Sequence, residues 1–201
     1  LTRVTIPGSV TVLEPWTFSD CVNLRSVELS NGLTIIGNAS FNCCYQLSNI
    51  AVPDSVTNMG NIAFASCRSL TNISLPTNLT TIGSYVFSVC TNLRSITIPS
   101  GVSHIQQNAF YNCTGLTNVT LSNGIKKIGV SAFEGCSGLV SVALPDSLQQ
   151  IEESAFAKCS KLPQITIPVV GIYRRAFQAC STLANVTILP GAVFIDEDAF
   201  S

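Results

Sequence analysis

The chain predicts a β-rich solenoid of nine coils, and three observations carry that prediction. Phenylalanine recurs at Phe18, Phe41, Phe64, Phe87, Phe110, Phe133, Phe156, Phe177 and Phe200, 23 residues apart except for one interval of 21. Cys21, Cys44, Cys67, Cys90, Cys113, Cys136, Cys159 and Cys180 follow at the same spacing, three residues behind each of the first eight Phe. A leucine opens every interval, at 1, 24, 47, 70, 93, 116, 139, 162 and 183. A fixed period of this size marks stacked units, none of which can bury its apolar face alone. Cutting at the leucines gives seven units of 23 residues, one of 21 and a last of 19. Residues 1–201 are therefore a single array, without linker or second domain.

Each unit follows the frame L-x-x-[IV]-x-[ILV]-P-x-x-[VLI]-x-x-I-G-x-x-A-F-x-x-C-x-x, as in LTNISLPTNLTTIGSYVFSVCTN at Leu70–Asn92. Positions 1, 4 and 6 place apolar, mostly β-branched residues at period two, which predicts a short strand with one buried face. Position 7 is Pro7, Pro53, Pro76, Pro99, Pro145 or Pro168 in six units. With no N–H and a fixed φ, proline ends strand pairing there. Ser30 and Ser122 stand at that position in two other units. Positions 10 and 13 predict a second short extended segment, and the glycine common at 14 a corner. Positions 17, 18 and 21 predict a single helical turn facing inward. Stacking at about 4.8 Å per rung makes a rod or shallow arc on the order of 40 Å long. The eighth unit lacks two residues between Pro168 and Ile172, in the corner between the extended segments. The sheet and the Phe row are expected to cross it unbroken.

Composition narrows the functions. Charged residues are 10% of the chain, against about 25% in ordinary soluble proteins. The net charge of −1 offers no electrostatic footprint for nucleic acid. Every apolar run is broken within a few residues, so no membrane insertion by this segment is expected. Leu1 already stands at position 1, and Ser201 follows position 18. Neither terminal unit is unusually polar, as a capping unit would be. The chain reads as a piece of a longer array.

The frame, and the A-F-x-x-C turn in particular, resembles the BspA-type leucine-rich repeat, over the entire chain. The resemblance implies a right-handed, curved leucine-rich-repeat solenoid with a concave parallel β-sheet. It also implies a binding or adhesion role at the surface of bacteria or protists. It implies no catalytic residues.

The nine cysteines invite catalytic, metal and disulfide readings. Catalysis or metal binding needs convergence of unlike ligands. There is no CxxC, and the only histidine, His104, sits at position 12, away from Cys113 at position 21. The comb is read as packing, since a free thiol behaves as a small hydrophobe. Disulfides between rungs come second, because stacked side chains run parallel. Cys43, off the comb, is the expected reactive thiol. Six N-x-S/T sequons, at Asn38, Asn72, Asn78, Asn112, Asn118 and Asn185, arise largely from the repeat composition. Slot 15 charges, Glu153, Arg174 and Glu197, predict an ion ladder between rungs. Trp16, Ala39, Ile62 and Tyr85 at position 16, with Val12 and Ile35, predict an apolar stripe that is either exposed or tucked under the turn.

The concave face should show positions 2, 3, 5 and 8, a neutral surface rich in hydroxyls and amides. Its candidate partner-binding residues are Arg3, Arg25, Ser26, Glu28, Asn49, Asn72, Arg94, Thr97, Asn118 and Thr120. Charge gathers toward the N-terminal half, which is where a charged partner would bind. The expected function is a non-catalytic protein-binding or adhesion module, with a protein or glycoprotein partner. It calls for no cofactor, metal or nucleic acid and has no catalytic set. Cell surface or secreted localisation is expected, with an intracellular location left open by the abundant thiols. The alternative is a structural or intracellular scaffold.

Overall fold

The computed structural model of the chain describes residues 1–168, 171–191 and 194–201. Each coil carries two short strands. The first strands are Arg3–Ile6 (β1), Ser26–Leu29 (β3), Asn49–Ala51 (β5), Asn72–Ser74 (β7), Ser95–Ile98 (β9), Asn118–Leu121 (β11), Ser141–Ala143 (β13), Gln164–Ile167 (β15) and Asn185–Ile188 (β17). The second are Val12–Leu13 (β2), Ile35–Ile36 (β4), Asn58–Met59 (β6), Thr81–Ile82 (β8), His104–Ile105 (β10), Lys127–Ile128 (β12), Gln150–Ile151 (β14), Gly171–Ile172 (β16) and Phe194–Ile195 (β18). Pairing is parallel and unslipped: Arg3 faces Ser26, Asn118 faces Ser141, and Gln164 faces Asn185. Period-two alternation buries Ile96 and Ile98 while Ser95 and Thr97 face out.

Position 7 sets how far each pair extends. Where it is not proline, its N–H reaches the position 6 carbonyl of the coil below: Ser30 to Ile6 (3.1 Å), Ser122 to Ile98 (3.3 Å) and Leu189 to Ile167 (2.9 Å). Those junctions pair four residues on each side. Where Pro53, Pro76 or Pro145 stands there, only three pair. At Pro99 and Pro168 the first strands do not pair, so the face divides into sheets β1-β3-β5-β7, β9-β11-β13 and β15-β17. Pro163, at position 2 of the eighth coil, removes one more donor. Its counterparts bond across, as Val140 does to Thr117 (3.1 Å) and Ala184 to Pro163 (3.0 Å). The first sheet thus does not enter the shortened coil unbroken, contrary to expectation. The second-strand ladder does, through β14-β16-β18. The shortened corner itself, residues 169 and 170, lies outside the described residues.

The segment expected as a helical turn closes differently. Positions 16 and 20 take left-handed backbone in every described instance, from Trp16 (φ 67°) and Asp20 (φ 59°) onward. Each left-handed residue reverses the helical progression, so alternate N–H groups point along the rod axis. In the fifth coil Asn108, Phe110 and Asn112 donate to Val130, Ala132 and Glu134 of the next coil, at 2.8–2.9 Å. The residues between them, Ala109, Tyr111 and Cys113, close turns to Gln106, Asn108 and Phe110. The result is a third ladder of backbone bonds, built from turns. At the corner before it, a side chain on Gly83 would collide with the backbone of Gly60 and Asn61, hence glycine.

The Phe row is the spine of the core. Seven of the rings, Phe41 through Phe177, are buried. Successive centroids from Phe18 to Phe200 lie 5.1–5.6 Å apart, with planes within 19°. The row crosses the shortened coil without a break, Phe156 to Phe177 being 5.3 Å. The cysteines back it: Cys113 Sγ donates to the Phe87 carbonyl at 3.0 Å, and Cys67, Cys90 and Cys136 repeat the contact.

Candidate functional site

The strand face is assembled from outward positions 3 and 5 of the first strands. Of the ten candidate residues, Arg3, Arg25, Glu28, Asn49, Asn72, Arg94, Thr97, Asn118 and Thr120 are exposed and Ser26 is half-buried. Register aligns them into rows: Ser26, Asn49 and Asn72 in one, Thr97 and Thr120 in another. Arg3 Nε donates to Ser26 Oγ at 3.2 Å, and Thr5 Oγ1 to Glu28 Oε2 at 3.2 Å. The charged corner is therefore partly self-satisfied. Arg25 and Arg94 stand three coils apart and do not form one site.

Two clefts interrupt this face, where the sheets part. One, of about 660 Å³, lies between β7 and β9 and is bordered by Asn72, Ser74, Thr77, Ser95, Thr97 and Ser100. The other, of about 400 Å³, lies between β13 and β15, with Asp146 at its rim. Sequence reasoning did not find them. Position 7 proline marks them only weakly, since three other prolines at that position tolerate pairing.

The fully buried thiols are unsuited to nucleophilic work. All nine cysteines are free. Burial pushes the Cys113 and Cys44 thiols up to about 12, which keeps them protonated at neutral pH. Cys43, half-buried in left-handed backbone, is more open than its buried neighbour Cys44. His104 is exposed, with Ser103 Oγ 2.8 Å from its Nδ1. Among the described residues no cluster of three His, Cys, Asp or Glu side chains could hold a metal ion.

The outer surface differs in detail from expectation. Arg174 meets Glu197 at 3.4 Å, but Glu153 has no such contact. Lys127–Glu152 and Lys158–Glu134, both at 2.7 Å, supply the other ion pairs among the described residues. The position 16 stripe is broken by the buried Ala39, leaving Trp16 (60% exposed) and Tyr85 (40%) as separate exposed rings. Among the sequons, Asn72, Asn118 and Asn185 are exposed on the first strands, whereas Asn38 Oδ1 accepts the Asn61 N–H and Asn78 Nδ2 donates to the Asp54 carbonyl. No helix among the described residues is long and apolar enough to cross a membrane.

Solved structures share this architecture. A T. pallidum leucine-rich repeat protein is 32% identical with a TM-score of 0.75, over 80% of this chain and 78% of its own. A Bacteroides ovatus leucine-rich repeat protein is 27% identical with a TM-score of 0.70, over 100% of this chain and 64% of its own. A Eubacterium ventriosum leucine-rich repeat protein shares the fold, at 21% identity and a TM-score of 0.64, over 89% of this chain and 58% of its own. The chain thus spans less than two thirds of the latter two. No curated protein matches the sequence. The BspA type leucine-rich repeat region, in six copies, matches residues 1–117 and 103–201. Such repeats generally mediate protein interaction or adhesion and are generally non-catalytic. With every residue inside the repeat frame and the whole length matched, the chain belongs to the BspA-type leucine-rich repeat family.

Proposed function

We propose that this chain is a non-catalytic protein-binding or adhesion module, acting at the cell surface or after secretion. Its contact surface is the strand face, and its partner is a protein or glycoprotein. The observation that carries this reading is the face itself. From the third coil onward positions 3 and 5 carry only uncharged residues, from Asn49 and Ala51 to Asn185 and Thr187. Rows of hydroxyls and amides on a rigid backbone suit a broad hydrogen-bonding contact better than a small substrate. Arg25 and Arg94 at its edge add positive charge that a partner would meet.

The test is retention of a purified binding partner, recovered by cross-linking on intact cells, by three forms of the protein. Asn49→Arg with Asn118→Arg should abolish retention, and Arg25→Glu with Arg94→Glu should weaken it. Lys126→Glu, on the outer side, should leave it unchanged. Equal retention by the first variant and the parent protein rejects the strand face. Biotinylation of intact cells tests the location.

A further inference from the structure

Among the described residues, the junction between the fourth and fifth coils is unlike any other in the array. At the β13/β15 parting the second-strand ladder continues. Here both strand ladders stop together: β7 does not pair with β9, nor β8 with β10. The bonds that elsewhere join second strands, such as Gly83 N–H to Met59 (2.9 Å) and Gly129 N–H to Ile105 (2.8 Å), have no counterpart from Gln106 to Ile82. What crosses is the turn ladder, with Tyr85 to Gln107 (3.0 Å), Phe87 to Ala109 (2.9 Å) and Val89 to Tyr111 (2.7 Å). One bond remains on the strand side, Arg94 N–H to the Thr71 carbonyl at 3.1 Å. Phe87 and Phe110 are also the most tilted pair in the ring stack, at 19°. The turn side thus carries the backbone bonds across the junction and the strand side keeps one, above a core in which Leu70, Ile73, Leu93 and Ile96 remain buried.

Its two banks are chemically matched to one kind of occupant. Elsewhere along the face each first strand bonds in parallel to the one below, except at the β13/β15 parting. Here β7 and β9 do not pair, so the edges of two sheets face each other across the cleft. Pro99 has no N–H to offer Leu75. The side chains at the cleft are Ser, Thr and Asn, with Ile73, Leu75 and Ile96 beneath, and none of the lining residues is ionisable. Main-chain bonds supply affinity and alternating side-chain contacts supply specificity when an extended peptide adds to a sheet edge. The volume, about 660 Å³, is within the range of ligand-binding clefts.

We propose that the β7/β9 cleft receives an extended, uncharged segment of the partner protein, with alternating polar and apolar residues, which bonds to the main chain along its banks. This rests on the strand-face reading and names the partner's form. The probe is acetyl-Asn-Ile-Ser-Leu-amide, which copies the alternation of β7. Its control is acetyl-Asn-Pro-Ser-Pro-amide, which lacks two of the donors. Both are titrated into the isotope-labelled full chain, with backbone amide shifts as readout.

The expected result is saturable shifts confined to residues 71–77 and 94–100, unchanged between low and high salt. The control peptide should bind at least fivefold more weakly. Thr97→Lys, which places a charge on one bank, should weaken the probe at least tenfold, while Gln149→Lys, at an exposed position off the strand face, should stay within twofold of the parent. Absent shifts, equal binding of the two peptides, or equal damage from both lysines overturns the proposal. Those outcomes leave the strand-face reading to its own retention assay, in which the Asn49→Arg with Asn118→Arg variant decides.

Discussion

Phe110 sits at the middle of the ring stack, and replacing it tests whether the stack is the structural spine. The ring is fully buried, 5.5 Å from Phe87 and 5.1 Å from Phe133. Truncating a buried Phe to Ala costs about 3–5 kcal/mol in transfer and cavity terms. Removing the stacking with each neighbouring ring adds about 0.5–1.5 kcal/mol. Phe110→Ala should therefore destabilise by about 4–8 kcal/mol, a large share of a typical domain's stability. Phe200 has one ring neighbour and is 39% exposed, so its truncation should cost far less. Urea unfolding gives both values. Trp16 fluorescence follows the first coil, and circular dichroism follows the whole array. Because each coil touches only its neighbours, Phe110→Ala should also pull the two transitions apart. Phe110→Leu, which keeps most of the volume, should fall between the parent and the alanine. A cost under 2 kcal/mol for Phe110→Ala, or one equal to that of Phe200→Ala, would refute the reasoning.

Burial raises the thiols of Cys44, Cys67, Cys90, Cys113 and Cys136 above the ordinary value of 9.0. Their protonated form is favoured in the fold. That stability is present below about pH 9 and is lost as pH climbs toward the folded value, at about 1.4 kcal/mol per thiol per pH unit. Alkaline unfolding should set in within about two units above pH 9, with a slope one proton shallower in Cys113→Ala; flat stability from pH 8 to 11 contradicts this. Ser122→Pro removes the bond from Ser122 N–H to Ile98 (3.3 Å) and should cost about 1 kcal/mol in thermal or urea unfolding. Val89 holds φ 60° with a β-branched side chain. Left-handed backbone suits Asn far better, so Val89→Asn should raise stability by up to about 1 kcal/mol; a lower melting temperature counts against it.

Much was legible because the repeat averages out local ambiguity. The period located every coil, the strand alternation at Ser95–Ile98, the buried thiols and the Phe row. The neutral face followed from positions 3 and 5. Three things were not legible. Apolar residues at 17, 18 and 21 fit one helical turn as well as two opposed turns, and Trp16, Ile62 and Val89 are not residues that advertise left-handed backbone. Ion partners depend on reach: Lys127 finds Glu152 rather than a residue at its own position. The clefts depend on pairing between coils, which no single coil encodes.

By itself the sequence determined the solenoid, its register and the chemistry of each face, because stacking repeats one local solution along an axis. The tertiary structure alone decided where that stacking fails. Pro53, Pro76, Pro99 and Pro145 stand at the same position, yet of these four the strands part only at Pro99. Whether a coil pairs with the next depends on the fit of two whole coils, not on one residue type. That fit opened the cleft between β7 and β9 and left the turn ladder and the Phe row to carry the array across it.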